Sequence, residues 1–495
     1  WDLAKIRQHP ATENVITLMT YQIQQLPVET QKALSIASCL GHRLAVSTLQ
    51  TAMACSEDDV VEALQSALNS GILIQTDSEV HFAHDRVQEA AYRLIVEIEK
   101  TRTHLTIGEH LLASTTNEDV LLLDIVAQFN RCCSLVTEPQ KCLRIARLNL
   151  KAAQKAKQAT AYAAALDYLR IIPEWIEPKL LWQLDYPFAF AFHKELAEVE
   201  YLSGHFETSE SLMKDMQPYL QSTLDKVDIY HLLIIQKTLL GHYQEAIELG
   251  QQALQLLGSG LPLDNTTEFL QHEMPLLKQR LIAISLSDLL NAPHVVDPEK
   301  QAIFKILASI YASCYLAGSE LHPAIGLMLT SLSLTYGHTP ESCFGYALYG
   351  YLLCNKFGEY ALGYEFGQLS LQLAEKLQSS MQFCKSSVIM LSYIYHWSKP
   401  IQYLPALFTT AYEAGLAGGE LEYAGYCVHE KVQRMFYQGI IPLPKVQQEA
   451  LPLLQFAYNT KNQMAIDILN SILRLVANLQ GDTLDECNFD ANAIH

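Results

Sequence analysis

Apolar residues recur every three to four positions along the first seventy residues, which is typical of short amphipathic helices. The spacing predicts four helices, over residues 14–26, 27–40, 46–54 and 56–70. Asn14 and Ser56 stand where helix caps are expected, since short polar side chains can accept the free N–H groups of a first turn. In the fourth helix, Val61, Leu64 and Leu68 form the stripe that we expect to be buried.

The apolar period then changes from helical spacing to alternation. Alternating residues at 72–76 and 80–82 predict two strands, and the polar residues 77–79 between them predict a tight turn. Asp85 follows the second strand and is placed to cap another helix. Helices, a two-stranded wing and a further helix together predict a winged-helix domain over residues 1–98.

The charge of this domain argues against the DNA binding that a winged helix usually suggests. Between Ala33 and Asp85 the only Lys or Arg is Arg43, whereas the same stretch holds seven acidic residues. A nucleic-acid surface needs clustered Lys and Arg to replace phosphate counterions. The whole chain is also acidic, with a formal net charge of −19. We therefore expect a packing or switching domain with no nucleic-acid partner.

After a helical connector at 99–145, the pattern stays helical and repeats with a period near 40. Gly204 and Gly241 are 37 residues apart, and Gly318 and Gly358 are 40 apart, each at the turn between two apolar helical segments. Such a period is typical of α-solenoids, whose helix pairs bury their faces only by stacking on neighbours. The positions expected to shape these turns are Gly204, Phe206, Gly241, Tyr243, Gly318, Gly358, Tyr360 and Gly439.

The predicted fold class is therefore mostly all-α, with an N-terminal winged helix followed by a TPR-like α-solenoid superhelix. The repeats are expected over 146–480, with an irregular insertion at 258–300 where Gly and Pro interrupt the register. Residues 481–495 are expected to be a linker or a truncated end. Because the chain opens at Trp1 rather than Met, it reads as a segment of a longer protein.

Composition narrows the class of protein further. Of the 495 residues 49% are hydrophobic and 18% charged, which excludes a disordered chain. The 11 cysteines are scattered and form no CxxC pair, so we expect reduced thiols and a cytoplasmic location. No apolar run reaches the roughly 18 residues that a membrane span needs.

Catalytic signatures are absent from the sequence. It has no phosphate loop, no GxSxG elbow, no HExxH helix and no kinase HRD or DFG signature. The run from Asp58 to Glu62 matches the DDxxD/E magnesium motif. Its acidic residues lie at the start of a predicted helix, however, and the sequence has no second acidic motif that would complete a magnesium site. His81 and His84 have no further ligands nearby in sequence, which disfavours a metal site. We expect no enzyme activity, no catalytic residue, no metal and no cofactor in this chain.

One local motif is more specific, and it joins the predicted wing to the next helix. Its residues are Phe82, His84, Asp85, Arg86, Gln88, Glu89 and Tyr92. The motif resembles the winged-helix segment of signal-transducing ATPases with numerous domains, the STAND class. Further stretches support the resemblance, namely 1–3, 14–15, 26–31, 37–41, 162–169 and 421–426. More narrowly, the chain resembles bacterial proteins that join a serine/threonine kinase, an AAA-type ATPase, helical repeats, a GAF domain and a sensor histidine kinase.

The resemblance covers nearly the whole chain, but only the region between the ATPase core and the GAF domain of such proteins. It implies that His84 contacts the β-phosphate of a nucleotide and holds the resting, ADP-bound form. The alternative is that His84 only caps and positions the helix, and the sequence leaves both open. ATP or ADP and Mg²⁺ are expected only in the missing ATPase and kinase domains.

The leading hypothesis is a non-catalytic regulatory and sensor arm of a multidomain signalling ATPase and kinase. Its partners would be its own missing ATPase and kinase domains and an unknown protein or small ligand. A free-standing TPR-like adaptor is the second hypothesis, and the effector-sensing arm of a STAND transcription activator is the third. An upstream phosphate loop favours the first, a start codon close to Trp1 the second, and a basic helix-turn-helix after His495 the third.

Overall fold

A computed structural model describes residues 11–76, 79–114, 118–263, 265–485 and 488–491. The described chain is mostly helical, with a winged helix followed by TPR-like helix pairs. It divides into two compact units. Unit 1 holds the described residues up to Lys155 together with 167–188, and unit 2 holds 156–166 together with the described residues from Ala189 onward. Trp1–Leu3 and the turn residues Asp77 and Ser78 lie outside the described residues.

Unit 1 begins with the winged helix. Its elements are α1 (Ala11–Gln24), α2 (Val28–Leu40), β1 (Arg43–Ala45), α3 (Val46–Met53), α4 (Glu57–Asn69), β2 (Leu73–Thr76), β3 (Glu79–Phe82) and α5 (Asp85–Leu94). The strands form an antiparallel sheet of order β1-β3-β2, in which Leu44 faces Val80 and Leu73 faces Phe82. These four side chains are buried with those of α2 to α5 in one hydrophobic core.

Of the two helix caps expected in this domain, the structure contradicts the one at Asn14 and confirms the one at Ser56. Helix α1 begins at Ala11, so Asn14 lies inside the helix and is not its cap. Ser56 does cap α4: its hydroxyl accepts the Asp59 N–H at 3.2 Å, and the Asp59 carboxylate accepts the Ser56 N–H at 3.1 Å. Because both partners are satisfied reciprocally, this capping box fixes the start of α4.

The buried stripe of α4 is rotated by one position from the expected one. The side chains in the core are Val60, Leu64 and Ala67, whereas Val61 is 39% exposed and Leu68 is half-buried. Both triplets have helical spacing, so periodicity alone could not choose between them. The direction from which α2 packs on α4 decides which stripe is buried.

The rest of unit 1 is helical. It comprises α6 (Glu97–Ser114), α7 (Glu118–Phe129), most of α8 (Pro139–Gln158), the end of α9 (Tyr162–Arg170), α10 (Ile172–Trp175), α11 (Pro178–Leu184) and the start of α12 (Tyr186–Leu202). A buried hydrogen-bond chain ties the predicted connector to the winged helix. His104 contacts the Tyr92 hydroxyl at 3.1 Å and Gln128 at 2.7 Å, and the Gln128 amide donates to the Cys39 carbonyl at 3.1 Å.

Unit 2 is built from paired helices. They are α12, α13 (Phe206–Met216), α14 (Thr223–Leu239), α15 (Tyr243–Leu256), α16 (Thr266–Ile282), α17 (Leu286–Leu290), α18 (Pro298–Leu316), α19 (Leu321–Tyr336), α20 (Glu341–Phe357), α21 (Tyr360–Lys376), α22 (Ser380–Ile389), α23 (Leu404–Gly418), α24 (Leu421–Tyr437), α25 (Leu443–Asn459) and α26 (Gln463–Gln480). A π-helical turn at Met390–Ile394 extends α22. The largest core cluster runs through α14 to α24.

The turns between paired helices carry the predicted glycines. Gly204, Gly241, Gly318, Gly358 and Gly439 all have φ between +64° and +83°. This left-handed region suits glycine because it has no Cβ to clash with the following carbonyl. Phe206, Tyr243 and Tyr360 each begin the next helix, and Phe206 packs edge-on against Tyr201 with ring centroids 5.7 Å apart.

Two regions are more regular than the sequence suggested. The insertion at 258–300 contains α16 and α17, which bury Met274, Leu277 and Leu289 in a core shared with α20 and α21. Near the end, β4 (Thr483–Asp485) pairs with β5 (Asn488–Ala491), where a linker was expected.

Across the described residues, no helix combines the length and apolarity needed to cross a bilayer.

Candidate functional site

His84 is the N-cap of helix α5. Its backbone is extended, and its Nδ1 accepts the backbone N–H of Arg86 at 3.1 Å. Asp85, which was expected to be the cap, is instead the first residue of the helix, and one of its carboxylate oxygens lies 3.1 Å from His42 Nδ1. Because Nδ1 of His84 is an acceptor, the neutral ring carries its proton on Nε2. The ring is exposed at the edge of the winged helix.

The charged residues of the motif form ion pairs within α5. Arg86 Nη1 donates to Glu89 Oε2 at 2.7 Å, and Arg93 Nη2 donates to Glu89 Oε1 at 2.6 Å. The hydrogen bond from Arg86 lowers the pKa of Glu89. These pairs at helical spacing give each oxygen of the Glu89 carboxylate one charged donor.

The remaining motif residues hold α5 against its neighbours. Phe82 is fully buried in the core of the winged helix. The Gln88 amide donates to the Ser38 carbonyl at 3.1 Å, and the Tyr92 hydroxyl contacts His104. Of the seven motif positions, His84 and Asp85 are therefore the two that the structure leaves exposed for a contact outside this unit.

A second candidate site lies in unit 2, where lysines converge on a cavity with about 230 Å³ of space. We call it the lysine groove; its lining includes Lys194, Tyr201, Lys305, Gln382, Lys385 and Glu420. Asp228 accepts from Lys194 and, at 3.1 Å, from Lys305. Burial alone would raise the pKa of Asp228, but the Lys305 and Lys194 ammonium groups outweigh it and lower that pKa.

The opposite wall of the lysine groove holds a cation above aromatic rings. Lys385 Nζ lies 4.6 Å from the centroid of the Tyr423 ring, and 3.6 Å from the Glu420 carboxylate. Beside it, Gln382 is almost completely buried, and its Oε1 has no hydrogen-bond partner among the described residues. An unpaired buried amide oxygen is costly, so this atom is suited to accept a hydrogen bond from a ligand.

Two residues after Glu420, a carboxyl is buried without an ion-pair partner among the described residues. Glu422 accepts a hydrogen bond from the Tyr426 hydroxyl at 3.2 Å. Burial, reinforced by the nearby Glu420, raises the pKa of Glu422 to about 8. The carboxyl is therefore mostly protonated at neutral pH, which removes the cost of burying a charge.

The chain shows low similarity to known signalling proteins. No protein-family model matches the chain. The hybrid signal transduction histidine kinase G of Dictyostelium discoideum is 20% identical over 562 aligned residues, which cover 96% of this chain. The chain spans only 16% of that relative's length.

Among solved structures, the chain is similar to a Signal Transduction ATPase with Numerous Domains (STAND) protein with a tetratricopeptide repeat sensor from Pyrococcus horikoshii. The two are 16% identical with a TM-score of 0.41, and the match covers 94% of this chain and 62% of that one.

The two candidate sites offer hydrogen-bond donors, acceptors and charged side chains. Within the described ranges, no three His, Cys, Asp or Glu side chains converge in a way that could hold a metal ion. The lysine groove offers three ammonium groups, three carboxylates at Glu198, Glu341 and Glu420, and one free acceptor at Gln382. Sequence reasoning missed this groove because its residues come from α12, α14, α18, α20, α22 and the turn before α24, which periodicity cannot place side by side.

Proposed function

We propose that this chain is the non-catalytic regulatory and sensor arm of a multidomain signalling ATPase and kinase. In this proposal the helical repeats bind a partner, and the winged helix passes the binding state to the nucleotide-bound core. The observation that carries the proposal is the exposed His84 at the start of α5, together with a ligand-ready groove in the repeats.

The lysine groove supports the partner-binding part of the proposal. Its mixed charges suit a polar, charged peptide segment rather than an apolar one, since unmatched ammonium groups would be costly to cover with apolar surface. Lys194 and Lys305 share the carboxylate of Asp228, and each ammonium group has further N–H donors for an acceptor of the partner.

The geometry of His84 supports the relay part of the proposal. With Nδ1 accepting the Arg86 N–H, the Nε2–H is the group left to donate to a phosphate oxygen. The ring stands at the N-terminus of a ten-residue helix, where the partial positive charge favours an anion. His84 thus both caps α5 and offers one donor to a nucleotide.

The proposal predicts that the purified chain has no catalytic activity of its own. We expect no ATP hydrolysis, no kinase activity and no phosphotransfer above background. The measurement is release of phosphate and transfer of radiolabelled phosphate at high protein concentration. A turnover that survives repeated purification and depends on residues of this chain would contradict the proposal.

The second prediction concerns His84 in the full-length protein that carries the ATPase core. His84→Ala removes one charge-assisted hydrogen bond to the nucleotide, and should speed ADP release by about 10- to 150-fold, the equivalent of about 1.5–3 kcal/mol. The measurement is the off-rate of a fluorescent ADP analogue.

The matched control separates nucleotide contact from helix capping. Asn is a good N-cap, so His84→Asn should keep α5 stable while losing the reach of the imidazole. We expect His84→Asn to release ADP as fast as His84→Ala, with a melting temperature close to that of the wild type. If His84→Asn instead restores slow release, His84 acts only as a cap.

A further inference from the structure

Unit 2 contains a second cavity, which the proposed function does not use. It lies between α18, the π-helical turn after α22, α24 and α26, and leaves about 50 Å³ open to the centres of water-sized molecules, enough for several waters. We call it the tyrosine cavity; its lining includes Tyr311, Tyr315, Tyr393, Tyr423, Tyr426 and His429.

The aromatic rings around this cavity support one another. Tyr311 stacks on Tyr315 with centroids 6.3 Å apart, and Tyr315 meets Tyr393 edge-on at 5.7 Å. On the other side, Tyr423 meets Tyr426 edge-on at 5.2 Å. Edge-on and offset aromatic contacts hold rings in fixed orientations, so the wall is preorganised for a planar guest.

Three hydroxyls of the lining, those of Tyr311, Ser392 and Tyr423, have no hydrogen-bond partner among the described residues. Tyr311 is 4% exposed and Tyr423 is 2% exposed, yet neither Oη has a hydrogen-bond partner among the described residues. Buried polar groups in proteins are almost always hydrogen-bonded, because an unpaired one retains its full desolvation cost. The two tyrosine hydroxyls are therefore available to donate hydrogen bonds to a guest in the cavity.

The charges of the cavity wall favour an uncharged guest. Burial lowers the pKa of His429 to about 3, so its ring is neutral and offers no charge to an anion. The one carboxylate of the lining, Glu430, is engaged by Arg434 at 2.7 Å. A cationic guest would therefore find a carboxylate whose charge is already balanced.

The backbone of the wall is also unusual. Met390–Ile394 forms a π-helical turn, and this turn places Ser392 and Tyr393 in the cavity lining. Such turns are rare and frequently occur at functional sites. Here the wider turn shapes the side of the cavity that faces α18.

We propose that the tyrosine cavity binds a small, uncharged, planar molecule of about the size of phenol, which accepts hydrogen bonds from the hydroxyls of Tyr311 and Tyr423. The inference rests on the proposed sensor role and deepens it, since it names the chemical class of one signal. The ligand would lie between α18 and α24, so that its binding changes the packing of neighbouring helix pairs.

The experiment uses phenol as the probe and the whole chain. Phenol at millimolar concentration should raise the melting temperature and shift NMR signals of the tyrosine rings. Benzoate and benzylamine keep a similar ring but carry a negative or a positive charge, and should bind at least tenfold more weakly. Equal binding of all three would overturn the proposed ligand class, and no binding of phenol would overturn the site.

Tyr311→Phe and Tyr423→Phe test the two hydroxyls without changing the ring packing. Each removes a group that has no partner in the free protein, so the melting temperature without ligand should be unchanged or higher. Phenol affinity should fall about tenfold, the effect of one hydrogen bond of about 1.4 kcal/mol. A hydroxyl with only a structural role would instead lower the melting temperature and leave phenol affinity unchanged, which would overturn the assignment.

Two further variants keep the test decisive. Tyr437→Phe changes an exposed hydroxyl and should affect neither stability nor phenol binding. Ala312→Val adds volume to the cavity lining and should block phenol in a folded protein. Failure of the proposed signalling role would appear separately, as an unchanged ADP off-rate in the His84 variants with phenol binding intact.

Discussion

Gly350→Ala is expected to destabilise the helical-repeat unit by about 3 kcal/mol, the upper end of the usual cost of overpacking a core. Helices α20 and α21 cross with their backbones in contact. A Cβ on Gly350 would lie 2.6 Å from the Gly363 carbonyl oxygen, and a Cβ on Gly363 would lie 2.7 Å from the Gly350 carbonyl oxygen. Neither obstacle is a flexible side chain, so the helices must move apart. Urea denaturation followed by circular dichroism measures the loss.

The matched control for this prediction is Gly260→Ala. An added Cβ at Gly260 meets no atom within 4 Å, and the residue does not have a positive φ. We expect a change within about 0.5 kcal/mol there, as for surface positions generally. If Gly350→Ala costs no more than Gly260→Ala, the close crossing of α20 and α21 is wrong.

Glu422→Gln is expected to stabilise the protein at pH 8 by about 2 kcal/mol or more, since each unit of pKa shift corresponds to about 1.4 kcal/mol. The folded-state pKa of Glu422, about 8, is above the ordinary carboxyl value. The buried carboxyl therefore contributes stability that is present below the ordinary value, near pH 4.5, and is lost as pH rises through 8. Gln resembles the protonated carboxyl, and it retains an oxygen that can accept the Tyr426 hydroxyl.

The pH dependence is the test of this prediction. At pH 4.5 and below, Glu422 is protonated in the folded state and increasingly so in the unfolded state, so the variant should differ little from the wild type. Melting temperatures measured between pH 4.5 and 8 should therefore diverge with rising pH. Glu413→Gln replaces an exposed carboxyl on α23 and should change stability by a few tenths of a kcal/mol. A Glu422→Gln variant that is destabilised at pH 8 would contradict the raised pKa of the Glu422 carboxyl.

Local chemistry made parts of the winged helix predictable. Ser56 with Asp59 three residues later forms a cap from backbone geometry alone, so its sequence signal sufficed. At α5 the sequence favoured Asp85 as the cap, but the extended backbone places His84 there. Short polar residues are the usual caps, and a histidine cap gives no strong sequence signal.

The candidate sites differ in whether the sequence alone could reveal them. The His84 motif could be found because its residues are contiguous along the chain. The lysine groove and the tyrosine cavity could not be found in this way, because their residues are far apart in the chain. More than a hundred residues separate Lys194 from Lys385 in the groove, and Tyr311 from Tyr423 in the cavity. In the sequence, the tyrosines of the cavity appear only as part of a total of 25 tyrosines.

The sequence by itself determined the helical periodicity, the wing, the turn glycines and the absence of familiar catalytic motifs. Each of these depends on residues close together in the chain, where propensity and spacing act directly. Only the tertiary structure decided which stripe of α4 is buried, why Gly350 and Gly363 must be glycines, and which tyrosine hydroxyls remain unpaired. Those properties arise from the packing of helices that are distant in the chain. The repeat period predicts that helix pairs stack, but it does not determine which side chains of neighbouring pairs meet.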